Sequence, residues 1–301
     1  NGIGSTTSIT NSGQITGSTN LAHGIQINNG GAIVSNTGTI SGGNAGYSVV
    51  SVATNGLSIT NSGTLVGSIS ALSTSGLTLD NTGGLIQGNI SSSASADTVD
   101  NNGGTITGVV NLGAGNDTFT GSEAVDKVIG GNGADTIDLN GGNDIYYARN
   151  SSATAGASDG NDEVDGGTGI DTYVANATGA SGVTIDLLHG IATGTEFGTD
   201  QILNFENATG TANADSLLGN AGRNVFNGNA GIDTADYHEA RSALSVTLDN
   251  VANDGAIGDV THPAEKDNVK GDVENITGGA GPDKLTGNGL ANRLVGGPGN
   301  D

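Results

Sequence analysis

The sequence contains no cysteine, tryptophan or methionine, and only five tyrosines and four phenylalanines among 301 residues. The absence of cysteine excludes disulfides and cysteine-ligated zinc sites. No apolar run is long enough to span a membrane, and no signal-peptide pattern is present. Glycine (55 residues), Ser, Thr and Asn are abundant, whereas the usual fillers of a compact core are scarce. This composition fits either disorder or an elongated solenoid with a thin core, and regular Ile/Val spacing favours the solenoid.

Basic residues are also few, with 8 Lys and Arg against 31 Asp and Glu and a net charge of −23. Residues 1–96 contain no base and a single acid, Asp80, so the other 30 acids lie from Asp97 onward. Such a surface repels nucleic acids and anionic membranes and attracts cations. We therefore expect no nucleic-acid partner and no membrane insertion. An acidic face that serves only solubility is the alternative.

The first third of the chain repeats an Asn-X-Gly turn between short apolar stretches, as in SITNSGQITG (8–17) and SITNSGTLVG (58–67). Alternation of Ile, Val and Thr with polar residues predicts short strands, and a period of 20–25 residues predicts a parallel β-helix. Residues 5–110 resemble the repeats of autotransporter passengers and haemagglutinin-like surface proteins. The first Asn of each unit is expected to stack in an internal amide ladder: Asn11, Asn36, Asn61, Asn81 and Asn101.

A second repeat begins at residue 113 and places a carboxylate every nine residues, preceded by glycines as in GGNGADTID (130–138). An apolar residue follows each carboxylate by two positions, such as Phe119 or Ile137. The carboxylate positions in the first block are Asp117, Asp126, Asp135, Asp144, Asp162 and Asp171, with a gap at Ala153. The lattice restarts as Glu206, Asp215, Asn224 and Asp233, and again as Glu274, Asp283, Asn292 and Asp301. Chance does not hold two positions in phase over so many units.

The nine-residue unit is interpreted as a six-residue loop followed by a three-residue strand. Two units make one turn, so loops 18 residues apart should stack: 117 with 135, 126 with 144, and 144 with 162. Loop carbonyls and carboxylates would then form an all-oxygen cage, which suits Ca²⁺; Mg²⁺ is a weaker candidate because it demands tighter octahedral geometry. Because stacked carboxylates repel without a cation, we expect metal binding and folding to be coupled in residues 113–301.

GGNGADTID (130–138) and GGTGIDTYV (166–174) resemble the RTX, or haemolysin-type calcium-binding, repeat GGxGxDxUx, where U is large and apolar. In that family the carbonyls at the second and fourth positions join the Asp as ligands. The resemblance implies several Ca²⁺ ions held by Gly113, Gly115, Asp117, Asp126, Gly131, Gly133, Asp135, Gly142, Asp144, Gly160, Asp162, Gly167, Gly169, Asp171, Asp215, Gly222, Asn224, Gly231, Asp233, Gly279, Gly281, Asp283, Asn292, Gly297, Gly299 and Asp301. GSEAVDKVI (121–129) lacks the loop glycines, and Asn224 and Asn292 are neutral, so sites there should be weaker or empty.

Two similar inserts, 181–210 and 244–279, interrupt the lattice and each begins with an alternating strand. They are expected to form hairpins flanking the roll, with Asp200 and Asp267 as further candidate ligands. The predicted fold is all-β, a right-handed parallel β-solenoid in which a β-helix continues into calcium-bound β-rolls. The predicted domains are a β-helix (1–112), roll blocks (113–175, 213–237 and 278–301) and strand-rich inserts (176–212 and 238–277).

Catalytic motifs are not found. The sequence has no HExxH and no Ser in a GxSxG elbow between a strand and a helix, and its four histidines are scattered. His238 and Glu239 beside Asp236 are interpreted as a surface turn. GGNG lacks the Lys-Ser/Thr of a phosphate-binding P-loop, and no helix is predicted after it. Some β-helices are polysaccharide lyases, but residues 1–96 offer only Asp80 among charged groups. We therefore expect no enzyme activity.

The chain starts without Met and inside a repeat, so it is expected to be a segment of a longer protein. The resemblance implies a calcium-rigidified segment of a secreted or bacterial cell-surface RTX protein, such as an adhesin, S-layer or matrix component, exported by type I secretion. One alternative is an accessory module of a secreted polysaccharide-active enzyme. Another is a self-assembling fibre or sheet, because solenoid ends expose strand edges. Calcium, a second copy of the chain, or a surface glycan or protein are the expected partners.

Overall fold

A computed structural model describes residues 6–18, 22–43, 46–52, 55–72, 75–149, 159–176, 179, 181–258 and 265–301. The predicted lattice gap at Ala153 lies outside these residues. The regular elements of the described residues are all strands, and most of them pair in parallel. None of the described residues belongs to a helix long and apolar enough to cross a membrane. Two compact units are present: described residues up to 149 with 159–169, and those from 170 onward.

The first unit is built from short strands separated by turns. In chain order they are β1 (Thr6–Asn11), β2 (Gln14–Thr16), β3 (Ile25–Ile27), β4 (Gly31–Asn36), β5 (Thr39–Ser41), β6 (Val49–Ser51), β7 (Leu57–Asn61), β8 (Thr64–Val66), β9 (Ile69–Ala71), β10 (Leu77–Asp80), β11 (Leu85–Gln87), β12 (Ile90–Ser91), β13 (Thr98–Asp100), β14 (Thr105–Ile106), β15 (Val110–Ala114), β16 (Thr118–Thr120), β17 (Lys127–Asn132), β18 (Thr136–Asp138), β19 (Gly141–Gly142), β20 (Ile145–Tyr147), β21 (Glu163–Asp165) and β22 (Thr168–Gly169).

Each strand pairs with the strand one coil later, which is the topology of a parallel solenoid. One sheet runs β1-β4-β7-β10-β13-β16-β18-β21, and a second runs β3-β6-β9-β12-β15-β17-β20. The third sheet, β2-β5-β8-β11-β14, ends at Ile106, so the coils before that point have three faces and those after it have two. A short pair, β19 with β22, lies beside the later coils. The predicted all-β parallel solenoid is confirmed.

A long column of apolar side chains runs through the first sheet, beside a shorter one of Ala32, Leu57 and Leu77. The long column consists of Val34, Ile59, Leu79, Val99, Phe119, Ile137 and Val164, each in register with the next and each buried. Successive members are separated by 25, 20, 20, 20, 18 and 27 residues. Burying a side chain of this size stabilises by roughly 1.5–3 kcal/mol, so this thin column supplies the core that the composition otherwise lacks.

The predicted amide ladder is also confirmed. The Asn11 amide donates to Asn36 (2.8 Å), Asn36 to Asn61 (2.7 Å), Asn61 to Asn81 (2.7 Å) and Asn81 to Asn101 (2.8 Å). All five side chains are buried. Each amide thus finds its partner in the next coil, which removes the cost of burying a polar group.

The second unit repeats the parallel arrangement with longer connections. Its strands are β23 (Thr172–Val174), β24 (Val183–Asp186), β25 (Ile191–Gly194), β26 (Gly198–Leu203), β27 (Asn207–Thr209), β28 (Ser216–Leu218), β29 (Val225–Asn227), β30 (Thr234–Asp236), β31 (Leu244–Thr247), β32 (Gly255–Ala256), β33 (Asn268–Val269), β34 (Asn275–Thr277), β35 (Lys284–Thr286) and β36 (Arg293–Val295). One sheet runs β26-β25-β24-β28-β30-β34-β36, another β23-β27-β29-β33, and the third β32-β31-β35.

The first insert does form hairpins, since β24, β25 and β26 pair antiparallel. It does not merely flank the roll as predicted, because β24 pairs in parallel with β28 and so belongs to the main sheet. The side chains of Val183 and Ile185 are buried in the core, as is that of Ala208 in β27. The alternating residues of the insert therefore extend the sheet. Leu294 of β36 is 43 % exposed, because no strand of the described chain lies beyond it.

Candidate metal centre

A column of aspartates follows the apolar column along one edge of the first unit. One carboxylate oxygen of each Asp accepts the backbone N–H of the residue one coil earlier: Asp117 from Asp97 (2.7 Å), Asp135 from Asp117 (2.8 Å) and Asp162 from Asp135 (2.9 Å). On the other edge, Asp144 accepts from the N–H of Asp126 (2.7 Å). All six side chains are buried. The predicted stacking of loops 117 with 135 and 126 with 144 is therefore observed.

The predicted stacking of 144 with 162 is wrong. Asp162 lies on Asp135, 27 residues earlier, and Ile137 pairs with Val164 in the same register. This coil contains three nine-residue units, not two, so position 162 returns to the edge that carries Asp135. The additional unit coincides with the gap in the lattice.

The second oxygen of several carboxylates in the column has no hydrogen-bond partner although it is buried. These atoms are the Oδ2 oxygens of Asp97, Asp117 and Asp135. Burial raises the pKa of Asp117 to about 7, with a further increase from the charge of Asp135. Burial likewise raises the pKa of Asp135 to about 7, and the charge of Asp162 adds to it. A buried, unpartnered carboxylate oxygen is costly and is normally compensated by a proton or a cation.

The glycine loops that precede these aspartates pack closely on the loops of the preceding coil. A Cβ built on Gly131 would be 2.0 Å from the carbonyl oxygen of Gly113, and one built on Gly133 would be 1.6 Å from that of Gly115. The next coil repeats this approach, with the Gly133 oxygen 1.8 Å from a Cβ built on Gly160. Gly133 has φ of 133°, a conformation that only glycine adopts readily. The glycines thus allow carbonyl oxygens of one loop to approach the backbone of the next.

These donors fit a hard divalent cation. The gap between stacked loops is bordered by two carboxylates and by backbone carbonyls, with no sulfur or imidazole. Among the described residues no three acidic or histidine side chains converge on one point, so carbonyls must complete any coordination sphere. Ca²⁺ takes six to eight oxygen ligands in flexible geometry, whereas Mg²⁺ requires a strict octahedron and retains water. The donor set therefore favours Ca²⁺.

Other lattice positions have loops in which the metal-facing oxygen is already used. The N–H four residues earlier donates to the side chain in each of these closed loops: Ser122 to Asp126 (2.8 Å), Thr211 to Asp215 (2.6 Å), Gly279 to Asp283 (3.0 Å) and Asn288 to Asn292 (2.9 Å). The residue four positions before the open-loop Asp117 or Asp135 is a glycine with positive φ, which turns that N–H away. A cation at a closed loop must first displace a hydrogen bond.

Asp126 has a further partner that the sequence pattern did not reveal. Its Oδ1 accepts from the Asn101 amide at 3.0 Å, so the amide ladder of the β-helix ends on a carboxylate of the repeat lattice. Its Oδ2 accepts from both the N–H and the hydroxyl of Ser122. The structure thus places Asp126 as a link between two ladders.

The second unit contains four comparable carboxylate pairs. Asp233 accepts from the N–H of Asp215 (2.9 Å), and the Asp233 N–H donates to Glu274 (2.9 Å). The Oδ2 of Asp233 is buried without a partner, and burial raises the pKa of Asp233 to about 7. Glu206 accepts from the N–H of Asp171 (2.8 Å), and Asp301, although exposed, accepts from that of Asp283 (3.0 Å).

The neutral Asn224 differs from Asn292. The Oδ1 of Asn224 is buried without a partner, while its amide group donates to the Glu206 carbonyl at 2.7 Å. Asn292 accepts from Asn288 within its own closed loop. Of the two neutral positions, only Asn224 therefore presents a free oxygen.

Buried tyrosines donate hydrogen bonds to three carboxylates, a feature that sequence reasoning missed. Tyr146 donates to Asp162 (2.6 Å), Tyr173 to Asp200 (2.6 Å) and Tyr237 to Asp267 (3.1 Å). Asp200 and Asp267, the further candidate ligands, therefore accept hydrogen bonds from buried tyrosine hydroxyls. Asp267 also accepts the N–H of Asn224 at 2.8 Å, and burial raises its pKa to about 7. Tyrosine at the U position was the only signal in the sequence for Tyr146 and Tyr173, and Tyr237 lies outside that position.

The remaining glycines predicted as ligands mostly approach backbone of the preceding coil. The distances from a built Cβ to a carbonyl oxygen are 2.8 Å for Gly142 (Ala124), 1.9 Å for Gly167 (Asn140), 1.6 Å for Gly169 (Gly142), 2.4 Å for Gly231 (Asn213), 2.2 Å for Gly279 (Ala240), 2.5 Å for Gly281 (Ser242), 2.2 Å for Gly297 (Gly279) and 2.1 Å for Gly299 (Gly281). Gly222 is the exception, because its nearest neighbour is the side chain of Asn220 at 2.9 Å. Its loop does not share the cage geometry.

The histidine cluster lies at the surface. His238 contacts Asp236 at 3.0 Å within a turn, as expected, and His189 contacts Asp186 at 2.8 Å. Glu239 lies 3.8 Å from His189 and 3.7 Å from His238. The hydrogen bond to Asp186 raises the pKa of His189. Both rings are about half exposed, so the cluster is a set of solvated ion pairs.

Stacked parallel coils, a column of buried aspartates and closely packed glycine loops define the class of parallel β-rolls. Four segments match the family model of the RTX calcium-binding nonapeptide repeat: residues 111–147, 157–173, 205–235 and 271–301. Residues 111–301 therefore contain RTX repeats, a type that typically binds Ca²⁺. No match supports the expected resemblance of residues 5–110 to autotransporter or haemagglutinin repeats. A search of curated proteins found no match to the chain.

Proposed function

We propose that this chain is a non-catalytic, calcium-binding structural segment of a large secreted or cell-surface protein. The observation that supports this most strongly is the buried, unpartnered Oδ2 of Asp117 and Asp135 beside the glycine carbonyls of adjacent coils. Two carboxylates with pKa values of about 7 are stacked there without a neutralising base. A divalent cation satisfies both oxygens and removes their repulsion.

Several ions would bind, one in each gap between stacked loops that provide a free carboxylate oxygen. The open loops of the first unit and the Asp233 loop of the second would fill first, because no hydrogen bond must be displaced. The closed loops at Asp126, Asp215 and Asp283 would bind more weakly. Folding of the repeats would then depend on calcium, which is abundant outside cells and scarce inside them.

A role on the cell surface or in the extracellular matrix is supported by this calcium dependence and by the acidic, cysteine-free composition. A calcium-rigidified solenoid would hold adjoining domains at a distance or present a long face to a glycan, a protein or another copy of the chain. An adhesin, an S-layer protein and a matrix component all need such an element.

Calorimetric titration of calcium into the metal-depleted chain, followed in parallel by far-UV circular dichroism, tests the proposal. We expect binding of several ions, an increase in strand signal on titration, and no equivalent effect from Mg²⁺ at the same concentration. Full strand signal in excess chelator, or equal responses to the two metals, would show that calcium is not the structural ligand.

A further inference from the structure

We propose an additional calcium site one coil before the matched repeats, between the loop of residues 92–97 and that of residues 112–117. This inference rests on the proposed calcium binding of the repeats. The segment SSASADTVD (92–100) aligns without gaps with GGNGADTID (130–138) and is identical at four of nine positions, including the Asp, with Ser93 and Ser95 in place of the two ligand-position glycines. The matched segments begin only at residue 111.

Asp97 makes the same hydrogen bonds between coils as the aspartates of the repeats; burial raises its pKa, and weaker interactions with the Ser92 hydroxyl and the Ser93 N–H partly offset that rise. Its Oδ1 accepts the N–H of Leu77, one coil earlier, and its own N–H donates to Asp117 at 2.7 Å. Its Oδ2 has no hydrogen-bond partner, and the residue is only 1 % exposed. This division between a structural oxygen and an unpartnered one is also found at Asp117 and Asp135.

The serine loop brings further oxygens to the same gap. The carbonyl oxygen of Ser93 lies 2.2 Å from a Cβ built on Gly113, close to the 2.0 Å between the Gly113 oxygen and a Cβ built on Gly131. The Oγ of Ser93 is also buried without a partner. Two unpartnered oxygens of different residues therefore belong to one loop, and each lacks the compensation that a buried polar atom normally has.

The loop differs from the glycine loops in one respect that affects affinity. The Ser95 carbonyl oxygen lies 2.9 Å from a Cβ built on Gly115, whereas the Gly115 oxygen lies 1.6 Å from one built on Gly133. Neither serine has the positive φ of its glycine counterpart. One carbonyl is thus less closely directed at the next loop, so this site should be weaker than the gap between Gly115 and Gly133.

Asp97 also marks the first possible site of the column. The equivalent position one coil earlier is Leu77, in register below Asp97 through the pairing of Leu79 with Val99, and the coil before that has Leu57. The coil of Asp97 carries Asn101 of the amide ladder as well. A cation here would tie the last coil of the metal-free β-helix to the first coil of the calcium-binding roll.

Counting bound ions by native mass spectrometry at millimolar calcium tests this site, with Asp97→Asn compared against wild type. Asn retains an oxygen for the Leu77 N–H, so the coil should fold while the charge is lost. We expect one ion fewer than in wild type and no change for the control Asp80→Asn, an exposed aspartate in the preceding coil. An unchanged ion count in Asp97→Asn overturns the site while leaving the repeat sites intact, and a wild-type chain that binds no calcium overturns both.

A second variant provides a test if Asp97→Asn does not fold. Ser95→Gly restores the glycine of the repeat motif at a position where the carbonyl is poorly directed. We expect the ion count to be unchanged and the weakest site in a calorimetric titration to become tighter. An isotherm identical to that of the wild type contradicts the proposed participation of this loop.

Discussion

At the scale of single residues, the two oxygens of a lattice aspartate have separate roles. In Asp135 one oxygen accepts the N–H of Asp117 and so joins adjacent coils, while the other is buried without a partner. The first oxygen is used in a hydrogen bond between coils, and the second is available to a cation. In Asp126 both oxygens are used by Ser122 and Asn101. An Asp at the same repeat position therefore keeps one oxygen available to a metal in the Asp135 loop and uses both oxygens for hydrogen bonds in the Asp126 loop.

Substituting Asn for Asp135 should weaken calcium binding far more than the same change at Asp126. Asp135→Asn removes an anionic ligand from an open loop, and we expect the affinity of the adjoining sites to fall by about tenfold or more, as loss of even outer-shell partners costs that much. Asp126→Asn should leave those sites nearly unchanged. Calcium isotherms of the two variants provide the comparison, and equal losses would refute the distinction between open and closed loops.

At the scale of elements, the amide ladder stabilises the β-helix independently of metal. Asn61 receives the amide hydrogen of Asn36 and donates its own to Asn81, all within the buried edge of β4, β7 and the turn after β10. Each broken link leaves a buried polar group unsatisfied, at a cost of about 1–3 kcal/mol.

We therefore expect Asn61→Ala to lower the free energy of unfolding of the first unit by about 2–4 kcal/mol, because two links of this kind are lost. The loss should be the same with calcium and with chelator. Urea unfolding in both conditions measures it, and Asn102→Ala, an exposed turn position, is the matched control. A loss of stability seen only with calcium would mean that the ladder depends on the metal sites.

The regular parts of these elements were predictable from the sequence. The Asn spacing gave the coil lengths and the ladder, and the nine-residue lattice gave the stacking of Asp117 on Asp135. Both follow from repetition, because identical coils stack identically.

The features that were missed are those that break the repetition. The repeat pattern did not identify Asp97. It precedes Asp117 by 20 residues, two more than the spacing of 18 between stacked loops, and serines stand at the glycine positions of the motif. The pairing of Asp162 with Asp135 depends on a coil of three units, which a fixed period of 18 cannot reveal. Closed loops such as that of Ser122 and Asp126 depend on backbone dihedral angles that spacing does not encode.

At the scale of the whole molecule, charge and hydrogen bonding divide the chain into two regimes. The first coils carry almost no charge and satisfy their buried edge with amides, whereas the later coils bury carboxylates whose pKa values are raised. Calcium should therefore stabilise only the later coils.

The metal-depleted protein should become less stable as pH rises. The folded-state pKa of Asp117, Asp135 and Asp233 is about 7, above the ordinary value of 3.8. Between these values the folded state binds more protons than the unfolded state, so the free energy of unfolding falls as pH increases from about 4 to about 7. Thermal melts of the calcium-depleted chain should give a higher Tm near pH 5 than near pH 8.

Calcium should change this dependence, because the metal replaces the protons and binds more tightly as they leave. With saturating calcium, the fall in Tm toward pH 8 should disappear. The double variant Asp117→Asn/Asp135→Asn is the control, since it should show a flatter pH profile without metal. A metal-depleted wild type that gains stability from pH 5 to pH 8 would contradict the raised pKa values.

Hydrogen–deuterium exchange with and without calcium tests the central claim most directly, because it reports each strand separately. In excess chelator we predict fast exchange in the repeat strands, such as β16, β18, β28 and β30, and retained protection in β4, β7 and β10 of the β-helix. Calcium should restore protection to the repeat strands, and Mg²⁺ should not. Equal protection of the repeat strands in chelator and in calcium would contradict the claim that calcium completes this fold.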